Sequence, residues 1–294
     1  MKELTKRVLT ALVGIPLFVA ALVGPPVSLL PEGSTWLVLV MLIALVGSVE
    51  MLSAVEARFE DLRVNRLLAM LAVYLPLEAW WSLQPGDTLL PTGRLVALGA
   101  VLLALGWEVW KAEQRRACHV WRNLGTAALI ALYLGTLLST WVHLRLWQGG
   151  GAVQGAPLPC GVRLVLLGCV SVWACDSVAY FVGTRWGRRQ LAPLLSPRKS
   201  WEGAGAGVVA GGVAAAVVAP WLGMPPWLTL ALGGAAACAG QVGDLFESAL
   251  KRELGVKDFG TLLPGHGGVM DRLDSLLFAL PVIYLLSHLL PICP

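Results

Sequence analysis

Polar side chains interrupt an apolar stretch over residues 226–246 and continue past its end. Gln241, Asp244, Ser248 and Lys251 are separated by three, four and three residues, so a helix carries all four on one face. This face combines a carboxylate, a hydroxyl and an ammonium group, which are groups that bind metal ions and phosphates. The pattern predicts a functional helix that reaches an aqueous surface.

Asp271, Asp274 and Ser275 form a similar face at the start of the next apolar stretch. Two antiparallel helices joined by residues 254–270 would bring Asp244 close to Asp271 or Asp274. Facing carboxylates repel one another unless a cation lies between them. Oxygen ligands suit Mg²⁺, which usually keeps some water and also takes phosphate oxygens as ligands. We therefore predict a magnesium site between these helices.

The connection between the two helices is rich in cations and glycine. Basic side chains can neutralise phosphates there, and glycines let backbone N–H groups approach a polyphosphate. The basic residues are Lys251, Arg252, Lys257 and Arg272, and the glycines are Gly265, Gly267 and Gly268. His266 has no His or Cys partner at ligand spacing, which disfavours zinc; it either orders the loop or contacts phosphate. Magnesium and cations around phosphate indicate phosphoryl or nucleotidyl transfer.

Another apolar stretch upstream contains a further polar face. Asp176 and Tyr180 are four residues apart on one side of a helix, and Asp176 lies about 14 Å of helix below the basic residues that mark the surface. A polar cavity open to the cytoplasm would explain this depth; the alternative is structural pairing with another helix. The following loop contains Arg198, Lys199 and Ser200, which could bind phosphate. Ser200 could instead cap backbone groups, and the same choice applies to Ser248.

Composition identifies the class of protein that positions these residues. The chain is 57% hydrophobic and 14% charged, with a mean hydropathy of +0.73, which excludes a soluble domain as the main architecture. A bilayer span needs about 20 apolar residues, and about nine segments reach this length. They lie near residues 8–30, 35–56, 66–84, 94–110, 124–147, 162–184, 204–222, 226–246 and 271–291. We predict an all-α, polytopic integral membrane protein.

The distribution of charge gives the orientation of the chain. All but three of the 22 Lys and Arg residues fall in alternate connections on one side, and the exceptions are Arg94, Arg145 and Arg163. The positive-inside rule therefore places the N-terminus in the cytoplasm and the C-terminus on the opposite side. We expect five spans in residues 1–160 and four catalytic spans in residues 161–294, with cytoplasmic loops at 185–203 and 247–271.

Other residue types are less informative about chemistry. The 13 Trp residues do not interleave with basic residues, which argues for interfacial anchoring and against nucleic-acid binding. The six Cys residues show no metal-ligand spacing and do not suggest a disulfide framework. A glutamate within a membrane span is energetically costly, so its presence requires a structural or functional explanation. For Glu78 and Glu108 we favour an interfacial position or local pairing, whereas for Glu50 structural and functional roles are equally plausible.

The stretch "SALKRELGVKDFGTLLPGHGGVMDRLD", residues 248–274, resembles the full signature of the phosphatidate cytidylyltransferases, also called CDP-diacylglycerol synthases. The similarity continues upstream through "CDSVAYFVGTRWG", "LAPLLSPRKSWEG" and "GQVGDLFES", and the start "KRVLTALVGIPLFV" also resembles the family. It is strong in the C-terminal half, whereas residues 35–160 resemble the family mainly in hydropathy.

The resemblance implies that CTP and phosphatidate react to give CDP-diacylglycerol and pyrophosphate at the cytoplasmic side of a bacterial inner membrane. It implies a Mg²⁺ site in which Asp244 and Asp271 are the central pair, and it allows a monovalent cation such as K⁺ beside it. Homodimers and contact with membrane lipids are also expected from the family. Residues assigned to substrate phosphates or the cavity wall are Lys251, Arg252, Lys257, Arg272, Asp176, Tyr180, Arg198, Lys199, Ser200, Ser248, His266, Gly267 and Gly268, with Asp274 in support.

Three alternatives remain at the level of sequence. A lipid or polyprenol kinase would share the membrane helices, phosphates and Mg²⁺, but would transfer the γ-phosphate of its nucleotide. A cytidylyltransferase acting on an ether-linked archaeal lipid would differ only in its substrate. An ion-coupled transporter would use intramembrane carboxylates as an ion pathway, but no internal repeat is detectable and the polar residues cluster at one surface.

Overall fold

The computed structural model describes residues 2–24, 31–84, 90–114, 119–147, 158–262, 267–290 and 292, with residues 2–11 and 90–94 described by backbone only. The elements in chain order are α1 (Lys2–Val23), α2 (Ser34–Arg58), α3 (Arg66–Ala69), α4 (Leu71–Trp81), α5 (Leu90–Glu113), α6 (Val120–Ile130), a π-helical turn (Ala131–Thr136), α7 (Leu137–Arg145), α8 (Cys160–Trp186), β1 (Gln190–Ala192), β2 (Ser196–Ser200), α9 (Trp201–Leu222), α10 (Pro226–Leu254) and α11 (Met270–Leu289). The predicted all-α membrane architecture is confirmed, with one small β-hairpin added.

Seven helices within the described residues are long and apolar enough to cross a membrane. They are Ser34–Arg58, Leu95–Glu113, Val120–Arg145, Cys160–Trp186, Trp201–Leu222, Pro226–Leu254 and Met270–Leu289. The predicted span at 66–84 is divided at Met70 into α3 and α4, each of which is shorter than a bilayer span. The predicted first span overlaps α1, Lys2–Val23, of which residues 2–11 are described by backbone only.

The chain forms two compact units. One contains residues Met1–His143 and Leu254–Arg272, and the other contains Leu144–Glu253 and Leu273–Pro294. The predicted boundary at residue 160 separates N-terminal from catalytic spans, and it stays a prediction because the two units are defined by packing and not by catalytic role. Within the first unit α4 packs against α2 and the π-helical turn. Trp36 of α2 is buried there and donates its indole N–H to the carbonyl of Trp141 at 3.0 Å.

A buried polar network surrounds Glu108 of α5 in the first unit, where the side chain is 1% exposed. Its Oε1 accepts hydrogen bonds from Asn65 Nδ2 at 3.0 Å and from Lys111 Nζ at 2.5 Å, and its Oε2 accepts one from Asn123 Nδ2 at 3.1 Å. Lys111 Nζ also donates to the Arg63 carbonyl at 3.1 Å. The local pairing predicted for Glu108 is confirmed, and it satisfies a carboxylate that would otherwise be costly to bury.

In the second unit, α8 and α9 pack with a close backbone approach. A methyl group added at Gly203 would lie 2.7 Å from the carbonyl oxygen of Ala179, and one added at Gly207 would lie 2.9 Å from that of Cys175. Small residues permit such contacts between membrane helices. The small-residue stretch at 203–219 therefore forms a seam within one chain, and this seam fixes α8 beside the start of α9.

One cysteine has a role that the sequence did not indicate. Cys160, at the start of α8, is disulfide-bonded. Cys169, Cys175 and Cys238 are free. Nothing in the cysteine spacing predicted the bond at Cys160, because disulfide pairing depends on tertiary proximity.

Candidate active site

The basic loop predicted at 185–203 folds into an antiparallel β-hairpin of β1 and β2 in the second unit. Ala192 pairs with Ser196 and Gln190 with Ser200. Two features hold its ends: Glu202 Oε2 accepts the backbone N–H of Arg188 at 3.1 Å, and the N–H of Trp201 donates to the carbonyl of Arg189 at 2.9 Å. The hairpin gives its basic side chains a defined position instead of leaving them on a flexible connection.

Lys199 on β2 forms an ion pair with Asp244 of α10. The Lys199 side chain is 27% exposed and that of Asp244 is 30% exposed, so the pair is partly shielded from solvent. On the same side of the unit, Arg252 donates from Nε to the carbonyl of Leu195 in the hairpin turn at 3.2 Å. Residues that the sequence predicted to bind phosphate therefore also attach the hairpin to α10.

Ser200 is the N-cap of α9. Its Oγ accepts the backbone N–H of Gly203 at 3.1 Å, and the residue is 8% exposed. A serine at this position satisfies one of the unpaired N–H groups of the first helical turn. Of the two roles considered for Ser200 from sequence, the structure shows the capping role.

Three aspartates of the second unit lie close enough to interact electrostatically. Asp176 of α8 and Asp274 of α11 each interact with Asp244, and Asp274 also interacts with Asp176 and Lys251. Lys251 forms an ion pair of 2.8 Å with Glu247, whose side chain is fully buried. Asp176, Asp244 and Asp274, which belong to three different helices, therefore interact within the second unit.

The donor chemistry of this cluster suits a hard divalent cation. Four carboxylates, from Asp176, Asp244, Glu247 and Asp274, are offset by the ammonium groups of Lys199 and Lys251. The excess of negative charge and the oxygen ligands fit Mg²⁺. No ready-made group of three or more His, Cys, Asp or Glu ligands occurs among the described residues.

Asp271 belongs to the first unit, where it orders the glycine-rich connection. Its Oδ2 accepts the backbone N–H groups of Gly268 at 2.8 Å and Phe259 at 2.9 Å. Gly267 has a φ of 83°, and a methyl group there would lie 2.9 Å from Asp271 Oδ2. The predicted metal pair of Asp244 and Asp271 is thus divided between the two units, and a shared ion remains a proposal.

A carboxylate that the sequence left undecided also holds this connection. Glu50 of α2 accepts the backbone N–H groups of Val269 at 3.0 Å and Met270 at 3.1 Å. The only signal in the sequence was a glutamate deep in an apolar segment. Its partners could not be inferred, because they lie more than 200 positions away in the chain.

The other predicted site residues lie at the surface of their own unit or outside the described residues. Tyr180 shares the exposed face of α8 with Asp176, and Ser248 is half-buried on α10. The exposed cations are Arg198, Arg252, Lys257 and Arg272. Gly265 and His266 lie outside the described part of the chain.

Comparison with known proteins identifies the family. Residues 5–290 match the profile described as "Cytidylyltransferase family", which covers nearly the whole chain. The chain belongs to the cytidylyltransferase family. The predicted resemblance is confirmed, and the family's CTP-dependent chemistry agrees with a site built from carboxylates and cations.

Three bacterial relatives, each named phosphatidate cytidylyltransferase, are similar to this family member. The Bacillus subtilis protein is 37% identical over 196 residues, 66% of this chain and 68% of the relative. The Mycobacterium leprae protein is 44% identical over 218 residues, 72% of this chain and 68% of the relative. The Pseudomonas aeruginosa protein is 42% identical over 170 residues, 55% of this chain and 56% of the relative. The chain therefore spans between about half and two thirds of these relatives' lengths.

Proposed function

We propose that this membrane enzyme transfers the cytidylyl group of CTP to phosphatidate, giving CDP-diacylglycerol and pyrophosphate. The family and the names of its relatives support the reaction. The structural observation that supports it best is the ion pair of Lys199 and Asp244 within the carboxylate cluster. This arrangement places a cation of the hairpin beside acidic groups at the end of a membrane helix, as a phosphate-transfer site requires.

The chemistry needs no nucleophile from the protein. A phosphate oxygen of phosphatidate is already anionic at neutral pH, and it attacks the α-phosphorus of CTP. The new bond joins this oxygen to the α-phosphorus, while the bond from the α-phosphorus to the oxygen that bridges it to the β-phosphorus breaks. Pyrophosphate leaves with that oxygen. Catalysis then consists of positioning the two anions in line and offsetting their charge.

The residues of the hairpin and α10 supply the positive charge for this step. The ion pair with Asp244 holds the ammonium group of Lys199 beside the carboxylate cluster. Lys251 is held by Glu247. Their ammonium groups bind phosphate oxygens, and Arg198 and Arg252 add positive charge in the same unit. Lys257 and Arg272, in the first unit, are proposed to bind the triphosphate or the departing pyrophosphate. Asp176 and Tyr180 line the wall beside the lipid headgroup.

In this proposal Asp244 and Asp271 would hold Mg²⁺, with Asp274 in a supporting role. When bound, the ion neutralises phosphate oxygens that would otherwise repel each other and the carboxylates. A monovalent cation such as K⁺ could share the acidic cluster. Lys199 and Lys251 offset part of the negative charge of the carboxylate cluster itself.

The location and partners of the enzyme are part of the proposal. The bacterial relatives support a bacterial inner membrane. The positive-inside rule favours an orientation in which the hairpin and the 247–271 loop face the cytoplasm. A disulfide at Cys160, on the opposite side in this topology, agrees with that orientation because disulfides persist in oxidising compartments. Membrane lipids surround the helices, and the chain is expected to act as a homodimer.

Turnover of the purified protein with labelled CTP, phosphatidate and Mg²⁺ tests the reaction. We expect lipid-soluble label and an equal amount of pyrophosphate, and loss of both in folded Asp244→Asn and Asp271→Asn. Asp61→Asn, the same change at an exposed aspartate of the first unit that pairs with His119 and Arg122, should retain activity. Release of a nucleoside diphosphate instead of pyrophosphate would show a kinase and overturn the proposal.

A further inference from the structure

Glu50 lies on α2, far from the catalytic sequence in the chain, yet it is directed at the start of α11. The residue is 7% exposed, and a buried carboxylate is costly unless its oxygens are hydrogen-bonded. Both oxygens are used: Oε1 accepts the N–H of Val269 and Oε2 accepts that of Met270. These are N–H groups at a helix start, which have no acceptor within the helix.

The glycine-rich connection is shaped around this carboxylate. A methyl group added at Gly268 would lie 2.5 Å from Glu50 Oε2, and one at Gly260 would also collide with the Glu50 side chain. On α2 itself, a methyl group at Gly47 would lie 2.7 Å from Met270 Sδ. These three glycines therefore allow α2 and the connection to approach closely. A side chain at any of the three positions would collide with the opposite element.

Asp271 is linked to the same backbone. It follows Met270 directly, and it accepts the N–H of Gly268 while Glu50 accepts those of the next two residues. Three consecutive N–H groups are thus bound by two carboxylates from different elements. A change in the Glu50 contact would move the backbone on which Asp271 and Gly267 are mounted.

We propose that Glu50 is a positioning residue for the reaction, acting by fixing the first turn of α11 and thereby the orientation of Asp271. This inference rests on the proposed function for its kinetic part, although its structural part stands alone. Glu50 touches backbone and not substrate in this scheme. Its effect is expected in turnover and in the metal requirement attributed to Asp271, more than in substrate affinity.

The test compares Glu50→Gln and Glu50→Leu with Glu78→Gln. Gln keeps the shape and one acceptor oxygen, whereas Leu removes both. Glu78 is a half-buried glutamate of α4 in the same unit, and it provides the matched control. Hydrogen–deuterium exchange over residues 259–272 reports the backbone directly, because Glu50 protects the Val269 and Met270 amides. Kinetics then give kcat, the two KM values and the Mg²⁺ concentration for half-maximal activity.

We expect faster exchange confined to residues 259–272 in both Glu50 variants and in neither the wild type nor Glu78→Gln. In Glu50→Leu, kcat should fall about 10- to 100-fold and the half-maximal Mg²⁺ concentration should rise at least about fivefold, with KM values within about threefold. Glu50→Gln should be intermediate. A smaller folded fraction alone would lower apparent turnover without shifting the Mg²⁺ requirement.

Unchanged exchange at 259–272, or an unchanged Mg²⁺ requirement with folded Glu50→Leu, would overturn the inference. Failure of the proposed function is distinguishable, since it would appear as absent turnover in the wild type. In that case the exchange measurement would still decide whether Glu50 orders the start of α11.

Discussion

Lys199 and Asp244 are 45 positions apart in the chain and form an ion pair that joins the β-hairpin to α10. The pair joins the basic loop, which forms the hairpin, to the polar face of a membrane helix. These two features lie apart in the sequence. It also offsets one charge of the carboxylate cluster. A substrate phosphate or a metal ion entering the cluster would therefore change the partners of both residues.

Lys199 and Asp244 should behave as one unit in kinetics. We expect Lys199→Met and Asp244→Asn each to lower kcat/KM about 100-fold or more, and the double variant to be little worse than the more damaged single variant, since residues acting together are non-additive. Steady-state kinetics at saturating Mg²⁺ measure this. As a control, we expect substitutions that break the ion pair of Glu56 with the 72% exposed Arg66 side chain to change kcat/KM by less than about twofold. If the loss of kcat/KM in the double variant equals the product of the losses in the two single variants, Lys199 and Asp244 act independently.

The buried network at Glu108 should dominate the stability of the first unit. Glu108→Ala leaves Lys111 buried without its carboxylate partner, and breaking such a pair typically costs about 3–5 kcal/mol. Denaturant unfolding in detergent micelles measures the loss. Glu56→Ala removes the partner of Arg66, whose side chain is 72% exposed, and should cost less than about 1 kcal/mol. Equal effects of the two substitutions would contradict the importance of burial.

The glycine seam between α8 and α9 allows the same substitution to be compared at two positions of one helix, Gly205 and Gly207. In Gly207→Ala the new methyl group lies 2.9 Å from both the carbonyl oxygen and the Sγ of Cys175, so we expect destabilisation of about 1–3 kcal/mol. Gly205→Ala adds the same methyl where nothing lies within 4 Å, and it should be neutral or stabilising by up to about 1 kcal/mol. Thermal unfolding in micelles measures the stability of both variants. A Gly207→Ala protein as stable as the wild type would show that the seam can relax.

The orientation of the chain can be measured with single cysteines. Leu194, in the hairpin turn, is 90% exposed, and the positive-inside rule places it in the cytoplasm. A membrane-impermeant maleimide should therefore label Leu194→Cys in inverted vesicles and not in intact cells. Gln154→Cys, in a connection assigned from sequence to the opposite side, should show the reverse, with the unsubstituted chain as background. Labelling of Leu194→Cys in intact cells would reverse the topology.

Features repeated along the helices were predictable from the sequence. Apolar length gave the membrane architecture, and helical spacing placed Asp244 and Lys251 on one face. The 248–274 signature identified the family that the comparisons confirm. These properties depend on local periodicity and composition, which a single sequence contains.

Contacts between distant elements were not predictable. The hairpin at 190–200 has short strands and two prolines, so no alternating pattern marked it. The helix break at Met70 was also hidden, because the sequence around it is apolar throughout and resembles a single span. Partners of Glu50 and Lys199 were hidden for the same reason, since a charge in the sequence does not specify which distant group will face it.

The position of Lys111 one helical turn after Glu108 bears on how the chain is made. A helix carrying an isolated carboxylate resists entry into lipid, whereas an intrahelical pair lets α5 be inserted as a nearly neutral segment before its neighbours are in place. Asn65 is synthesised before α5 and Asn123 after it, so the complete set of hydrogen bonds to Glu108 can form only once α6 has followed α5. The carboxylate that Lys111 neutralises within α5 is thus also the group on which the N-cap of α3 and a side chain of α6 converge in the folded unit.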